Sequence, residues 1–415
     1  MRLAVIGGGV SGLVAARVLM AEHDVVVFEA EALPGGHAHT VTVEIGPRTW
    51  EVDCGFVVLN DRNYPEFSRL LDELGVARQP SHMGFSVSAE DEDFEYAGTP
   101  LGLFCQPRNL GRPAFLTMIA ELPRFNRELR ALLDEPAGSM SLGAFIEAGG
   151  YSAMFRDRLI GAQARALWSA DAAAVWDLPA CFIGRFFDEH GLLRMRNRPR
   201  WSTITGGSRT YVEALTAGWG ERLRCSTPIA GIERFDDRVE VTPCDGERES
   251  FDRVVLACHS DQALSLLGDP TPAEREILGA IRYQANELVL HTDERLLPRR
   301  RAARQAWNYR LARQPGGAVT VTYSMNRLQR LDCPVELCVS LNLTDRIDSA
   351  RIVRTLQFAH PVFDGPALAA QARRDEIDGC HRTHYCGAYW GYGFHEDGVR
   401  SALRTVAKVR SEALV

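Results

Sequence analysis

The chain opens on a short, unbroken apolar run, Leu3 to Ile6, the pattern of a strand buried on both faces. Leu13, Ala16, Leu19 and Met20 then recur at helical spacing, and a second apolar run, Val25 to Phe28, ends at an acid, Glu29. Val41, Val43 and Ile45 alternate with polar residues as a half-buried strand does, while residues 65 to 74 carry an amphipathic helical period closed by Gly75. Phe85 to Tyr96 predicts a hairpin with acids in its turn. From Pro113 to Leu193 the period is helical, with aromatic positions at Phe115, Phe125, Phe145, Phe155, Phe182, Phe186 and Phe187. Such a stripe reads as core, or as a helical cap over an apolar pocket. Strand signals return at Ile229 to Ile232, Val239 to Val241 and Val254 to Ala257, then over 283 to 292 and 318 to 343. The pattern predicts an α/β protein, and a chain of 415 residues exceeds one comfortable core, so two domains are expected.

Between the first strand and the first helix lie Gly7, Gly9 and Gly12 at G-x-G-x-x-G spacing. The first glycine turns sharply, the second lets backbone approach a pyrophosphate, and the third lets helix and strand pack closely. The phosphates would rest on the unpaired N–H groups of the helix start, Val10 and Ser11. Glu29, with Ala30 after it, stands about twenty residues on, where a ribose-hydroxyl acceptor belongs. A second glycine pair, Gly35-Gly36, is followed by His37.

These motifs resemble the flavin-containing amine oxidoreductase superfamily, which includes monoamine oxidases, protoporphyrinogen oxidases and carotenoid desaturases. The family usually has Arg where His37 stands. The resemblance implies a Rossmann-like FAD-binding domain of the amine-oxidase type in three segments, 1–60, 202–282 and 380–415. Residues 61–201 and 283–379 would form a second, α+β substrate domain of sheet plus helical insertion. It also implies non-covalent FAD, since no cysteine-rich tethering motif is present. Asp53 and Gly55 resemble cofactor-side residues, although Asp53 equally suits a turn. Ile229 resembles the residue packed on the adenine, and Ala257 ends the strand behind it. In YCGAYWGYGFHEDG, from Tyr385, Gly387 and Gly398 match the closing flavin motif, while Ala388 stands where Glu or Asp is common. A helix opening at Gly398, Val399 and Arg400 would aim backbone N–H groups at the flavin.

Composition narrows the partners. The net charge of -7 argues against nucleic acid. No apolar run is long enough to span a bilayer and the first strand starts at residue 2, so the expected location is the cytoplasm, at the inner face of the membrane if lipid is the substrate. The ten cysteines show no metal-like spacing, so no metal is expected and the thiols read as free. All but one of the 47 Lys plus Arg residues are Arg, Lys408 being the exception.

Amine oxidases of the superfamily typically hold a lysine near the flavin on the strand resembling Glu287 to His291, which here has none. Asn286, Glu287 and His291 are the polar candidates there, Glu287 as a catalytic group, but Glu287 and His291 share one face of the strand and Asn286 lies on the other, so only one set can face the flavin. Tyr389, Tyr392 and His395 are candidates for a flavin-facing wall, His395 being equally suited to capping the last helix. His259 reads as a turn or cap residue.

In detail, GGSRTYVEAL, AHPVF and CGAYWGYGFHEDG resemble a bacterial subgroup of NAD/FAD-binding proteins associated with cyclopropane-fatty-acid-synthase-like methyltransferases. That implies desaturation of a methyl-branched or unsaturated acyl chain of a membrane lipid, with a functional link to an acyl methyltransferase. Oxidation of a small amine, or a redox-neutral isomerase or mutase, remains the alternative. Arg295 to Arg313, with seven arginines, is either a solvated loop or a contact for an anionic membrane surface.

Overall fold

The structure is a computed structural model that describes all residues except 90–91, 135–139, 169–173, 195, 312–318 and 414–415. A parallel sheet runs in the order Leu223–Arg224, Asp24–Phe28, Arg2–Ile6, Arg253–Leu256, Thr383–Tyr385. Ile6 is in register with both Phe28 and Leu256, and Leu256 with Tyr385. The chain therefore leaves four strands at one edge, through Gly7, Glu29, Ala257 and Cys386. In open α/β sheets this carboxyl edge is where ligands bind.

Period-2 alternation places the two faces of these strands in different cores. Leu3, Val5, Val25, Val27 and Val255 pack under the first helix, Val10–Leu19, and the last, His395–Ala413, which contributes Val399, Ala402, Val406 and Val409. Ala4, Ile6, Val26, Phe28, Val254 and Leu256 face the meander of residues 229–251 and the helices Ser260–Leu266 and Pro272–Ala280. The helix Pro65–Glu73 docks on the last helix through Phe67, Leu70 and Leu71 and shares the first of these cores.

The second sheet has seven strands, in the order Ile352–Pro361, Tyr283–His291, Cys338–Leu341, Val321–Ser324, Trp307–Leu311, Phe85–Ala89, Glu95–Ala97. All its pairs are antiparallel except 307–311 with 85–89. Leu288, Leu290, Val339 and Leu341 pack on the hairpin Thr40–Ile45/Arg48–Asp53 through Val43, Trp50 and Val52. The other end of the sheet is covered by helices that include Pro113–Ala131, Leu142–Ala148 and Ala180–Glu189. Their Phe115, Phe125, Phe155, Phe186 and Phe187 meet Val87, Tyr309 and Val321 in one apolar cluster. The aromatic stripe between residues 113 and 193 is thus core, and its inner edge reaches Tyr392 and Phe394 of the C-terminal loop.

Candidate active site

At the carboxyl edge two glycine loops face each other. Gly7 adopts φ +109°, and a Cβ there would lie 2.8 Å from the Ala257 carbonyl oxygen. A Cβ on Gly12 would overlap the Gly7 carbonyl oxygen, so this glycine sets the close approach of helix and strand. Gly9 is different: a Cβ there would have nothing within 4 Å. The Gly35 N–H donates to the Gly8 carbonyl at 2.8 Å, and a Cβ on Gly36, at φ +56°, would lie 3.2 Å from the Gly9 Cα. Gly9 and exposed Gly36 therefore line an open backbone groove at the start of the first helix. The Gly9 carbonyl accepts from Leu13 N, which leaves the amides of Val10, Ser11 and Gly12 without intrahelical acceptors. Glu29 accepts from the N–H groups of Gly8 (2.7 Å) and Glu31 (2.8 Å), which holds its carboxylate beside the groove, with Ala30 exposed next to it. Ile229 stands half-buried beyond, in a strand reached through Thr227, whose N–H donates to the Glu29 carbonyl. Bare backbone N–H groups with an acid at the far end fit a dinucleotide, its pyrophosphate over Val10 to Gly12 and a ribose at Glu29.

Gly55 belongs to this cradle by packing. A Cβ there would overlap the His37 carbonyl oxygen, which accepts from Phe56 N at 2.7 Å. Asp53 departs from the expectation of a cofactor contact. It is 1% exposed, and its Oδ1 accepts from Thr40 Oγ1 (2.6 Å), Ser208 N and Ser208 Oγ (both 2.8 Å). Its Oδ2 accepts from Gln329 Nε2 at 3.1 Å. With both oxygens taken, Asp53 is a tie between distant segments. Burial pushes its pKa up to about 6, against the opposing hydrogen bonds.

The strand Tyr283–His291 resolves which of its faces meets the cofactor domain. Glu287 turns away, bonded to Thr344 Oγ1 and to Gln357 Nε2 (3.0 Å), so its assignment as a catalytic group does not hold. His291, also on that face, is buried against Ser340 Oγ at 2.8 Å. Asn286 lies on the inner face, and a chain of amides fixes its orientation. Glu287 N–H donates to Asn342 Oδ1 (3.1 Å), and Asn342 Nδ2 donates to Asn286 Oδ1 (3.0 Å) and Val319 O (3.1 Å). Asn286 Nδ2 then donates to Gln284 O (3.1 Å) and His360 Nδ1 (2.9 Å). The backbone groups at each step leave no freedom to flip, so neutral His360 carries its proton on Nε2.

His360 meets two other histidines. Its ring centroid is 5.3 Å from that of His37, which in turn lies 6.1 Å from His259 and 4.8 Å from Phe358. His259 stacks on Tyr283 at 4.3 Å. Burial holds His360 down to about 4 and, helped by the neighbouring imidazoles, holds His37 well below its ordinary value. The Nε2 of His37 is buried without a protein partner. His259 stands at the N-cap of the helix Ser260–Leu266, as the sequence suggests, its N–H donating to Gln262 Oε1 at 3.2 Å; that it and His360 lie near His37 comes from the meeting of three distant segments.

The C-terminal motif corrects further expectations. The last helix begins at His395, and Gly398 N–H already donates to Phe394 O at 3.1 Å. Its N-terminal amides are thus three residues earlier than Gly398 and Val399. Gly398 instead lets two helices touch, since a Cβ there would lie 2.8 Å from Val10 Cγ1, while Val399 is buried in the core beneath. His395 is also no wall of the cleft. It is 8% exposed, stacks on Phe56 at 3.7 Å and bonds Tyr211 OH through Nε2 at 3.0 Å, and burial holds its pKa down to about 3. Tyr389 is buried in the core on the other face of the sheet, under Gly387, where a Cβ would overlap its ring. Tyr392 alone of the three candidates meets the apolar cluster, 4.9 Å from Phe182 and 5.5 Å from Phe186.

Comparisons with known proteins agree with this geometry. The family model described as flavin containing amine oxidoreductase matches residues 10–325. Among solved structures, a single-site mutant of putrescine oxidase aligns with a TM-score of 0.73 and 14% identity over 99% of both chains. Cyclohexylamine oxidase from Brevibacterium oxydans IH-35A aligns at 0.71 and 15% over 100% of this chain and 99% of that one. A CLA-producing fatty acid isomerase from P. acnes aligns at 0.70 and 16% over 99% and 98%. At such identities the structural matches show a shared fold; the family model, matched over most of the chain, shows more. The chain belongs to the flavin-containing amine oxidoreductase family, and FAD is its cofactor.

Proposed function

We propose that this flavin-dependent oxidoreductase desaturates an acyl chain, methyl-branched or unsaturated, carried by a membrane lipid. The observation that carries the reading is the partly buried aromatic edge of the helical core, Phe182, Tyr392 and Phe394, which ends at the C-terminal cofactor motif. Burial in such surroundings favours an acyl chain by roughly 0.8 kcal/mol per methylene. A small hydrophilic amine gains nothing comparable. The inner face of strand 283–291 presents Asn286, and Lys408, the one lysine, is spent on the Asp378 carbonyl. One of the similar folds, the isomerase, is named for a fatty acid substrate, which supports an acyl chain as the ligand here.

Dehydrogenation converts CH–CH into C=C. FAD, when bound, supplies the acceptor for two electrons and one proton, and the second proton leaves to water or a side chain. The chain's own residues hold the cofactor in the glycine cradle, orient His360 through Asn286, and exclude water with Phe182, Phe186, Tyr392 and Phe394. Expression in a host of known lipid composition, with and without an acyl methyltransferase, tests the reading by mass spectrometry of fatty acids. A mass loss of two hydrogens in an acyl chain is expected. Isomerised chains of unchanged mass would favour the redox-neutral alternative, and unchanged lipids with oxidation of a soluble amine would favour amine oxidation.

A further inference from the structure

The segment between Glu95 and Glu121 contains no acidic residue in a chain of net charge -7. It folds into two short turns, Pro100–Leu103 and Pro107–Gly111, and the start of the helix Pro113–Ala131. These expose Leu101 (83%), Phe104 (45%), Leu110 (52%) and Leu116 (43%). Large apolar side chains exposed on successive turns mark a surface that meets something apolar.

The arginine-rich loop lies directly beside it, because a Cβ on Gly102 would stand 2.9 Å from the Ala302 carbonyl oxygen. Within that loop most arginines have internal partners: Arg295 with Asp293, Arg300 with Asp93 and Glu95, Arg304 with Glu294, and Arg310 with backbone carbonyls. Arg313 lies outside the described residues. Arg299 and Arg301 are exposed and make no ion pair among the described residues. Arg108, 67% exposed at the side chain, adds a third outward cation, only loosely paired with Asp93 at 3.4 Å. Apolar tips ringed by arginines match the interface of an anionic bilayer, where hydrocarbon lies beneath negative head groups. A protein partner would need acids placed to match, and a second copy would set arginine against arginine, since Asp93 is already taken by Arg300 and Arg108. The patch also continues inward, since Leu103 and Ile119 pack on the same apolar cluster that reaches Tyr392.

We infer that this surface, Leu101, Phe104, Leu110 and Leu116 with Arg299, Arg301 and Arg108, docks the enzyme on anionic membranes. The inference deepens the acyl-lipid reading, but docking is measured without turnover, so the two fail separately. The test is sedimentation of the full-length holoprotein with vesicles of phosphatidylcholine alone or mixed with phosphatidylglycerol. Binding to the mixed vesicles is expected, reduced at least tenfold by Leu101→Ser with Phe104→Ser and Leu110→Ser. Arg299→Glu with Arg301→Glu should abolish the preference for the anionic mixture while leaving Arg300 and its partners intact. FAD retention and the thermal melt serve as folding controls, because every substituted side chain is exposed. Wild-type binding that these variants do not change would overturn the inference. So would a wild-type dimer that the apolar variants convert to monomer, or oxidation of detergent-dispersed lipid by a protein that ignores both vesicles.

Discussion

The two walls of the active site are built by different means. On the cofactor wall, contiguous motifs do the work: Gly7 to Gly12 closes one loop, Gly35-Gly36 faces it, and Glu29 caps the groove. On the facing wall nothing is contiguous. His37, His259 and His360 come from three distant segments, and Asn286 is oriented through Asn342, with backbone groups of Glu287, Gln284 and Val319 as anchors. A wall made of local turns tolerates no added side chain at Gly7 or Gly12, where backbone closes on the position. A wall made of long-range contacts tolerates change except where an amide chain sets a proton's position.

The largest expected effect lies in the glycine loop. Gly12→Val drives a side chain into the Gly7 carbonyl, and no folded holoprotein should be recovered. Gly9→Ala is the contrast, since its Cβ meets nothing in the protein. That variant should fold with an unchanged thermal melt and lose FAD on gel filtration, separating the groove from the scaffold.

Asp53 comes next. Asp53→Ala leaves the buried donors of Thr40, Ser208 and Gln329 without an acceptor, a cost of about 3 kcal/mol that denaturant melts will read. Its pH dependence has an unusual sign. The folded carboxyl, raised to about 6 by burial, holds its proton more tightly than the unfolded chain does. Its share of stability is therefore present below the ordinary carboxyl range and is lost as pH rises through about 6, with buried Asp397 acting in the same direction. Asp53→Asn should remove that share of the slope.

This contrast also explains what was legible beforehand. Gly7, Gly9, Gly12 and Glu29 could be read because strand, turn and helix are set by neighbours a few residues apart. The two faces of strand 283–291 are legible by alternation, but not which face turns inward, because that depends on packing against the distant hairpin Thr40–Ile45/Arg48–Asp53. Gly398 reads in the sequence as a helix opening; in the fold it serves a contact with Val10, and the helix starts at His395. Asp53 looked like a turn or cofactor residue because its partners Ser208 and Gln329 are far along the chain.

Smaller effects sharpen the histidine and amide wall. Asn342→Ala frees Asn286 to rotate and His360 to change tautomer, so turnover should fall about tenfold with FAD content unchanged and the pH profile of kcat shifted. Glu287→Gln, on the outward face, should change turnover less than twofold. A large loss there would mean that the faces have been assigned the wrong way round.

The proposal that the aromatic edge at Phe182, Tyr392 and Phe394 presents an acyl chain to the flavin is tested most directly by anaerobic mixing of the yellow holoprotein with candidate substrates. Vesicles bearing unsaturated or methyl-branched chains should bleach the flavin, with one new double bond per flavin reduced, and small primary amines should not. Bleaching by an amine with lipid acyl chains left intact would contradict the account.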